Sequence, residues 1–218
     1  MKTDLLDIRN CDCMDLMQEF PDKHFDLAVV DPPYGIGMGE AMGTGWSAKN
    51  GGVKHAVKTW DNTAPKAKYF NELRRVSKNQ IIWGANYFIE QMPINSPCWI
   101  VWDKNNGQSL FADCELAWTS HSTPCRIIQV HWCGSAAIYE TGQNKIHPTQ
   151  KPIKLYNWIF ANYAKPGMKI LDTHMGSGSI AISAHYNVMH LTASELDSDY
   201  YNAACERIER ETRQLTLF

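Results

Sequence analysis

The chain has 218 residues, 44% of them hydrophobic and 20% charged, which is enough for one well-buried domain and short for two. No apolar run approaches the ~20 residues of a membrane span, and residues 1–10 lack the apolar stretch of a secretion signal, so the expectation is a cytoplasmic protein with no membrane partner. The formal net charge of -2 argues against a polyanion partner for the chain as a whole, but residues 35–80 carry eight lysines and arginines against three acids, a local +5, which leaves the rest at -7. Such segregation suits a polyanion-binding face on an otherwise acidic body. Seven scattered cysteines without a secretion signal read as reduced thiols. His121, Cys125, His131 and Cys133 lie close together but match no paired zinc-knuckle spacing, so no metal site is expected.

Apolar runs alternate with helical patterns, the rhythm of a parallel α/β sheet. A strand is expected over 5–9, a short helix over 12–20 and a fully buried strand over 25–30, where Phe-Asp-Leu-Ala-Val-Val loses polar alternation in its second half. Residues 35–60 hold seven of the fourteen glycines and read as a long mobile loop. A helix over 64–77, a strand over 80–83, a short helix over 87–91 and a strand over 98–102 follow. Residues 115–119 and 126–130 are expected to pair antiparallel at one edge. Ile153, Tyr156, Phe160 and Tyr163 recur at helical spacing after Pro152, which suits a first helical turn. Strands are expected over 168–171 and 190–194, a helix over 179–187, and a final helix carrying Tyr201, Ala204, Cys205 and Ile208 on one stripe. No linker divides the chain, so one domain spans 1–218.

Two motifs carry chemistry. Asp31-Pro32-Pro33-Tyr34 directly follows the buried strand, at the end where open α/β sheets bind ligands. Two prolines hold that turn extended, fixing a carboxylate, carbonyl acceptors and an aromatic ring around one small space. An amino group on a flat ring suits it. The second motif, Asp172-Thr173-His174-Met175-Gly176-Ser177-Gly178-Ser179, lies between a strand and a helix, and Glu195 ends the next strand about twenty residues on. Glycines allow close backbone approach to a ligand, and an acid at Glu195 can accept from both ribose hydroxyls. Neither a dinucleotide fingerprint nor a phosphate-loop lysine is present, which fits a nucleoside cofactor without a diphosphate.

Together these residues resemble the amino-group DNA methyltransferases, in which DPPY is the catalytic signature and the second motif binds the cofactor, often with Phe where His174 stands. The segment His147-Pro148-Thr149-Gln150-Lys151-Pro152 resembles the one leading into the cofactor site, and Asn10-Cys11-Asp12-Cys13 the one whose Asp contacts the cofactor's adenine. The likeness covers most of 5–34 and 145–210. It implies a Rossmann-like fold, mainly a parallel twisted sheet with an antiparallel edge strand. The motif order, catalytic before cofactor, is circularly permuted, as in the β group. It implies S-adenosylmethionine as cofactor, held by Asp12, Cys13, Asp31, Thr149, Lys151, Asp172, His174, Gly176, Ser177, Gly178, Ser179 and Glu195. It implies Asp31, Pro32 and Tyr34 as catalytic residues acting on a base flipped out of double-stranded DNA, without metal. Asp at position 31 points to adenine N6. The alternatives are cytosine N4, an RNA or protein amino group, or a non-catalytic DNA-binding partner subunit. Lys49, Lys54 and Lys58 are expected on phosphates and Trp46 and Trp60 near the bases. The stretch 103–145 is a short candidate recognition region, and a homodimer would extend the footprint.

Overall fold

The computed structural model describes residues 1–43, 57–92, 95–107, 112–132, 140, 142 and 145–213. Among the described residues eight strands form one sheet: β1 (Leu6–Arg9), β2 (Phe25–Val30), β3 (Ser77–Trp83), β4 (Trp99–Asp103), β5 (Cys114–Thr119), β6 (Arg126–Gln129), β7 (Lys169–Asp172) and β8 (His190–Ser194), in the spatial order β1-β8-β7-β2-β3-β5-β4-β6. The first five in that order run parallel. The helices are α1 (Cys13–Gln18), α2 (Met38–Gly43), α3 (Ala67–Val76), α4 (Ile153–Tyr163), α5 (Ser179–Tyr186) and α6 (Ser198–Arg213).

The sheet is sandwiched, which is why its central strands read as unbroken apolar runs. On one face Leu27, Val29, Ile81, Trp83 and Trp102 pack with Leu155 and Phe160 of α4, Ile180 and Ile182 of α5, and Ile208 of α6. On the other, Ala28, Val30 and Ile82 meet Leu16 and Met17 of α1 and Phe70, Leu73 and Val76 of α3. From β7 the chain crosses through α5 to β8 on one side, and from β2 through α3 to β3 on the other. β7 and β2 are neighbours, so the strand order reverses between them, and a crevice opens at their C-terminal ends.

Three expectations are corrected. The strands over 115–119 and 126–130 do not pair with each other: β5 is already bonded to β3 and β4 on its two edges, and β6 instead adds parallel to the free edge of β4. The antiparallel strand therefore lies inside the rim, with β4 and β6 outside it. Ser77 opens β3 rather than ending the helix as expected, because it closes α3 with its hydroxyl on the Leu73 carbonyl at 2.5 Å and then pairs with Phe25. The short helix expected over 87–91 is two 3-10 turns, Ala85–Tyr87 and Ile89–Gln91, parted at Phe88.

Candidate active site

The cleft at the reversal point has a volume of about 380 Å³. One end is formed by Cys11, Asp12 and Cys13 after β1, the floor by residues 173–177 after β7 and Glu195–Asp197 after β8, and the other end by Asp31, Pro33 and Lys151. Both sequence motifs thus face a single space, as adjacent parallel strands require.

At the cofactor end, Glu195 is fixed by two backbone donors: Gly176 N–H gives to Oε2 at 2.8 Å and Asp197 N–H to Oε1 at 3.0 Å. Burial raises its carboxyl above the usual range. Asp12 caps α1, its Oδ1 accepting from Met14 N–H at 2.7 Å. Burial pulls His174 down to about 4, so the ring is neutral near pH 7 and presents a flat uncharged face to the cleft. Thr173 Oγ1 lies 2.9 Å from His174 Nδ1 and 2.6 Å from the Tyr69 hydroxyl, which fixes the ring's orientation.

Several residues expected on the cofactor stand behind the cleft wall instead. Burial pushes Asp172 up to about 8, and its carboxyl accepts from His174 N–H at 3.0 Å. Gly178 is left-handed at φ 74°, and a Cβ there would lie 2.8 Å from Ile208 Cδ1, so packing against α6 is what demands glycine. Ser179 receives a hydrogen bond from buried Arg207 Nη1 at 2.9 Å, and the same atom donates to the Ser177 carbonyl at 2.9 Å, locking the turn. Thr149 lines the cleft with its hydroxyl 3.1 Å from His147 Nδ1.

At the other end the structure assembles a network that sequence spacing did not foretell. Tyr34 donates its hydroxyl to Asp31 Oδ1 at 2.7 Å. Lys151 Nζ, on a residue only 4% exposed, pairs with Asp31 Oδ2 and sits 3.0 Å from Glu115 Oε2. Lys104 Nζ holds the other Glu115 oxygen at 2.7 Å. Burial would raise Glu115, but Lys151 and Lys104 outweigh it and hold it at about 2. Burial would lower Lys151, but Asp31 and Glu115 keep it above its ordinary value. Asp31 is raised by burial and by the Glu115 charge more than Lys151 and Tyr34 offset, which makes it the readier proton acceptor of the two carboxylates. Pro32 is buried beneath the motif and Pro33 lines the cleft.

The motif loop hangs on Asp61, 2% exposed, whose carboxylate accepts from the N–H groups of Tyr34 at 2.6 Å, Gly35 at 3.1 Å and Met38 at 2.9 Å. Tyr34 stacks on Tyr87 with centroids 4.9 Å apart and an interplanar angle of 15°. Lys58, expected on phosphate, reaches the cofactor side, 2.7 Å from Asp197 and 2.6 Å from Asp199. Trp60 lines the same cleft, its ring 5.0 Å from that of His147. Lys49, Lys54 and Trp46 lie outside the described residues, as does Cys133. Among the described residues no group of three or more His, Cys, Asp or Glu side chains is placed to hold a metal, and no helix is long and apolar enough to cross a membrane.

A mainly parallel sheet with a cleft at its reversal point is a Rossmann-like α/β fold. Residues 101–206 match the model of the N6_N4_Mtase family, described as DNA methylase. YubD of Escherichia coli (strain K12), named as a methylase, is 24% identical over 94% of this chain and 90% of its own length. Among solved structures, the M1.HpyAVI–SAM complex has a TM-score of 0.58 at 16% identity, covering 93% of this chain and 99% of that one. The PvuII DNA methyltransferase (cytosine-N4-specific) has a TM-score of 0.62 at 14% identity, covering 97% and 92%.

Proposed function

We propose that the chain transfers a methyl group from S-adenosylmethionine to an exocyclic amino group in double-stranded DNA, and that the amino group is adenine N6. The observation that carries this reading is the single cleft joining Glu195 to Asp31: a diol acceptor at one end and an amine acceptor at the other. The residues suit that cofactor. Lys58 and Lys151 are both neutralised by carboxylates, so the unpaired charge facing the cleft comes from acids such as Asp12 and Glu195, favourable to a cation. The neutral His174 ring offers an apolar face of the kind Phe provides. When bound, S-adenosylmethionine supplies a methyl group already activated on a sulfonium.

The remaining work falls to the chain. An aromatic amine is a weak nucleophile because its lone pair is delocalised into the ring. Asp31, fixed in advance, accepts an amine N–H and favours a tetrahedral nitrogen on which positive charge grows. Its raised affinity for protons suits it to receive the proton that the nitrogen sheds. The Pro32 carbonyl would take the second amine proton. Tyr34 supplies a ring against which a flipped base stacks, and Tyr87 backs that ring. Direct transfer then rests on alignment.

Asp at position 31 favours adenine. Cytosine N4 is the second reading, favoured by the likeness to the PvuII cytosine-N4 enzyme. Mass spectrometry of nucleosides from DNA incubated with protein and labelled cofactor should show N6-methyladenine in the presence of a chelator. N4-methylcytosine alone would transfer the assignment to cytosine, and labelled RNA or protein with unlabelled DNA would overturn it. Asp31→Ala should lower turnover by about a hundredfold or more while calorimetry still registers cofactor binding. Near wild-type turnover in that variant would remove Asp31 from the chemistry.

A further inference from the structure

We propose that Asp31 and Lys151 form a matched acceptor–donor pair that reads two adjacent atoms of the target base, the exocyclic amine and the ring nitrogen beside it, which makes Lys151 a specificity-determining residue. The inference rests on the base-methylation reading above and names the chemical edge that this site accepts.

The argument starts from what now occupies the place. The Tyr34 hydroxyl lies between the two charged groups: its hydrogen goes to Asp31 Oδ1 at 2.7 Å, and its oxygen lies 3.4 Å from Lys151 Nζ. One atom thus donates to the carboxylate and offers a lone pair toward the ammonium. An amine next to an unprotonated ring nitrogen has the same pattern spread over two atoms. Adenine presents it at N6 and N1, and cytosine at N4 and N3. Thymine and uracil present a carbonyl beside an N–H, and guanine's pairing edge places an N–H next to its amine. An ammonium has donors only, so it opposes those N–H groups.

The ammonium is held for this task. Two of its three hydrogens are committed, to Asp31 Oδ2 and to Glu115 Oε2, and the third points toward the hydroxyl. Glu115 is itself gripped from behind by Lys104, so Nζ cannot drift toward solvent without leaving Asp31 with no cationic partner and taking from Glu115 one of its two. When Tyr34 turns its face to a base, its hydroxyl releases one lone pair on Asp31 and one hydrogen on Lys151 together. Those are the two groups that the amine and ring nitrogen require.

The test begins by mapping the methylated position in DNA from cells expressing the protein. Duplexes are then made with adenine, 1-deazaadenine or 7-deazaadenine there, or with 3-deazacytosine if the mapped base is cytosine. Replacing N1 by C–H keeps the amine and removes the acceptor. Wild-type kcat/KM should fall roughly ten- to a hundredfold on 1-deazaadenine and stay within about threefold on 7-deazaadenine, the loss expected for a hydrogen bond to a charged group. Lys151→Met removes that contact together with the Asp31 and Glu115 pairs, so it should lose at least that factor on adenine, yet it should tell adenine from 1-deazaadenine by no more than about threefold. Equal wild-type rates on adenine and 1-deazaadenine would overturn the proposal, as would losses that multiply in the cycle. The wild-type arm requires no folded variant, so an unstable Lys151→Met leaves the decision intact. Absence of any methylated base in the mapping step would instead overturn the parent reading, and this one with it.

Discussion

His174 shows how burial converts a titratable residue into an aromatic one. Its folded-state pKa of about 4 lies below the ~6.5 of an unfolded chain, so between those values the unfolded state binds the extra proton. Stability from this group is therefore complete above pH 6.5 and is lost as pH falls toward 4, at no more than about 1.4 kcal/mol per pH unit. His174→Phe should sacrifice the contact with Thr173, about 1 kcal/mol, yet lose less stability than wild type between pH 7 and pH 5. Melting temperatures at the two pH values check this, and a parallel decline in both proteins would show that His174 does not titrate in that window. The cofactor's Kd at pH 7.5 should change by less than about threefold, since a neutral ring is replaced by a neutral ring. The same logic explains which residues were legible beforehand. Asp31, Tyr34, Gly176 and Glu195 sit at strand ends within short motifs, where local chain geometry alone aims them at the crevice. Glu115 and Lys104 carry no such signal. Glu115 is a lone acid in the strand Cys-Glu-Leu-Ala-Trp-Thr, and only the β3–β5–β4 pairing brings it to Lys151 and Asp31. A charged residue inside an otherwise apolar strand was the one available hint.

At the scale of elements, the parallel half of the sheet was readable because each strand is an apolar run followed by a helix of clear period. The antiparallel half was not, since pairing partners there depend on which edges remain free. The junction between β3 and the 3-10 turn after it has a direct functional consequence. Gly84 adopts φ 68°, and a Cβ there would fall 2.0 Å from Tyr34 Cε1. Gly84→Ala therefore meets both backbone strain and a ring that stacks on Tyr87, held by the loop that Asp61 secures. The ring must move, losing its stack on Tyr87 and the position from which it would face a flipped base. We expect a destabilisation of about 2–4 kcal/mol from strain plus overpacking, measured by urea unfolding, and a fall in kcat with little change in the cofactor's Kd. A variant with wild-type kcat would mean that the observed position of Tyr34 is unimportant to turnover. Asp61→Ala attacks the same loop from the other side, leaving three backbone N–H groups without their carboxylate. It should lower kcat in the same sense without touching the ring.

For the molecule as a whole, charge segregation separates two kinds of lysine that the sequence presents alike. Residues 35–80 are net +5 on a chain of -2, and they begin one residue after Tyr34 in the sequence. Lys58 nevertheless has carboxylate partners of its own in Asp197 and Asp199, and those acids hold it well above its ordinary pKa. It ties residue 58 to the segment just after the strand end that carries Glu195, so its contribution belongs to that side of the cleft. Each lysine that neutralises a phosphate releases counterions and adds about 0.9 to the slope of log Kd against log salt. Lys49→Ala with Lys54→Ala should flatten that slope by about 2 and weaken binding on every sequence alike. Lys58→Ala should leave the slope as it is and raise the cofactor's Kd roughly two- to fivefold, the range of a partly exposed ion pair. Fluorescence anisotropy on labelled duplexes from 50 to about 300 mM salt, with calorimetry of the cofactor in parallel, distinguishes the two roles. A flattened slope in Lys58→Ala and none in the double variant would reverse the assignment, making the Asp197 pair a resting contact that DNA phosphates displace.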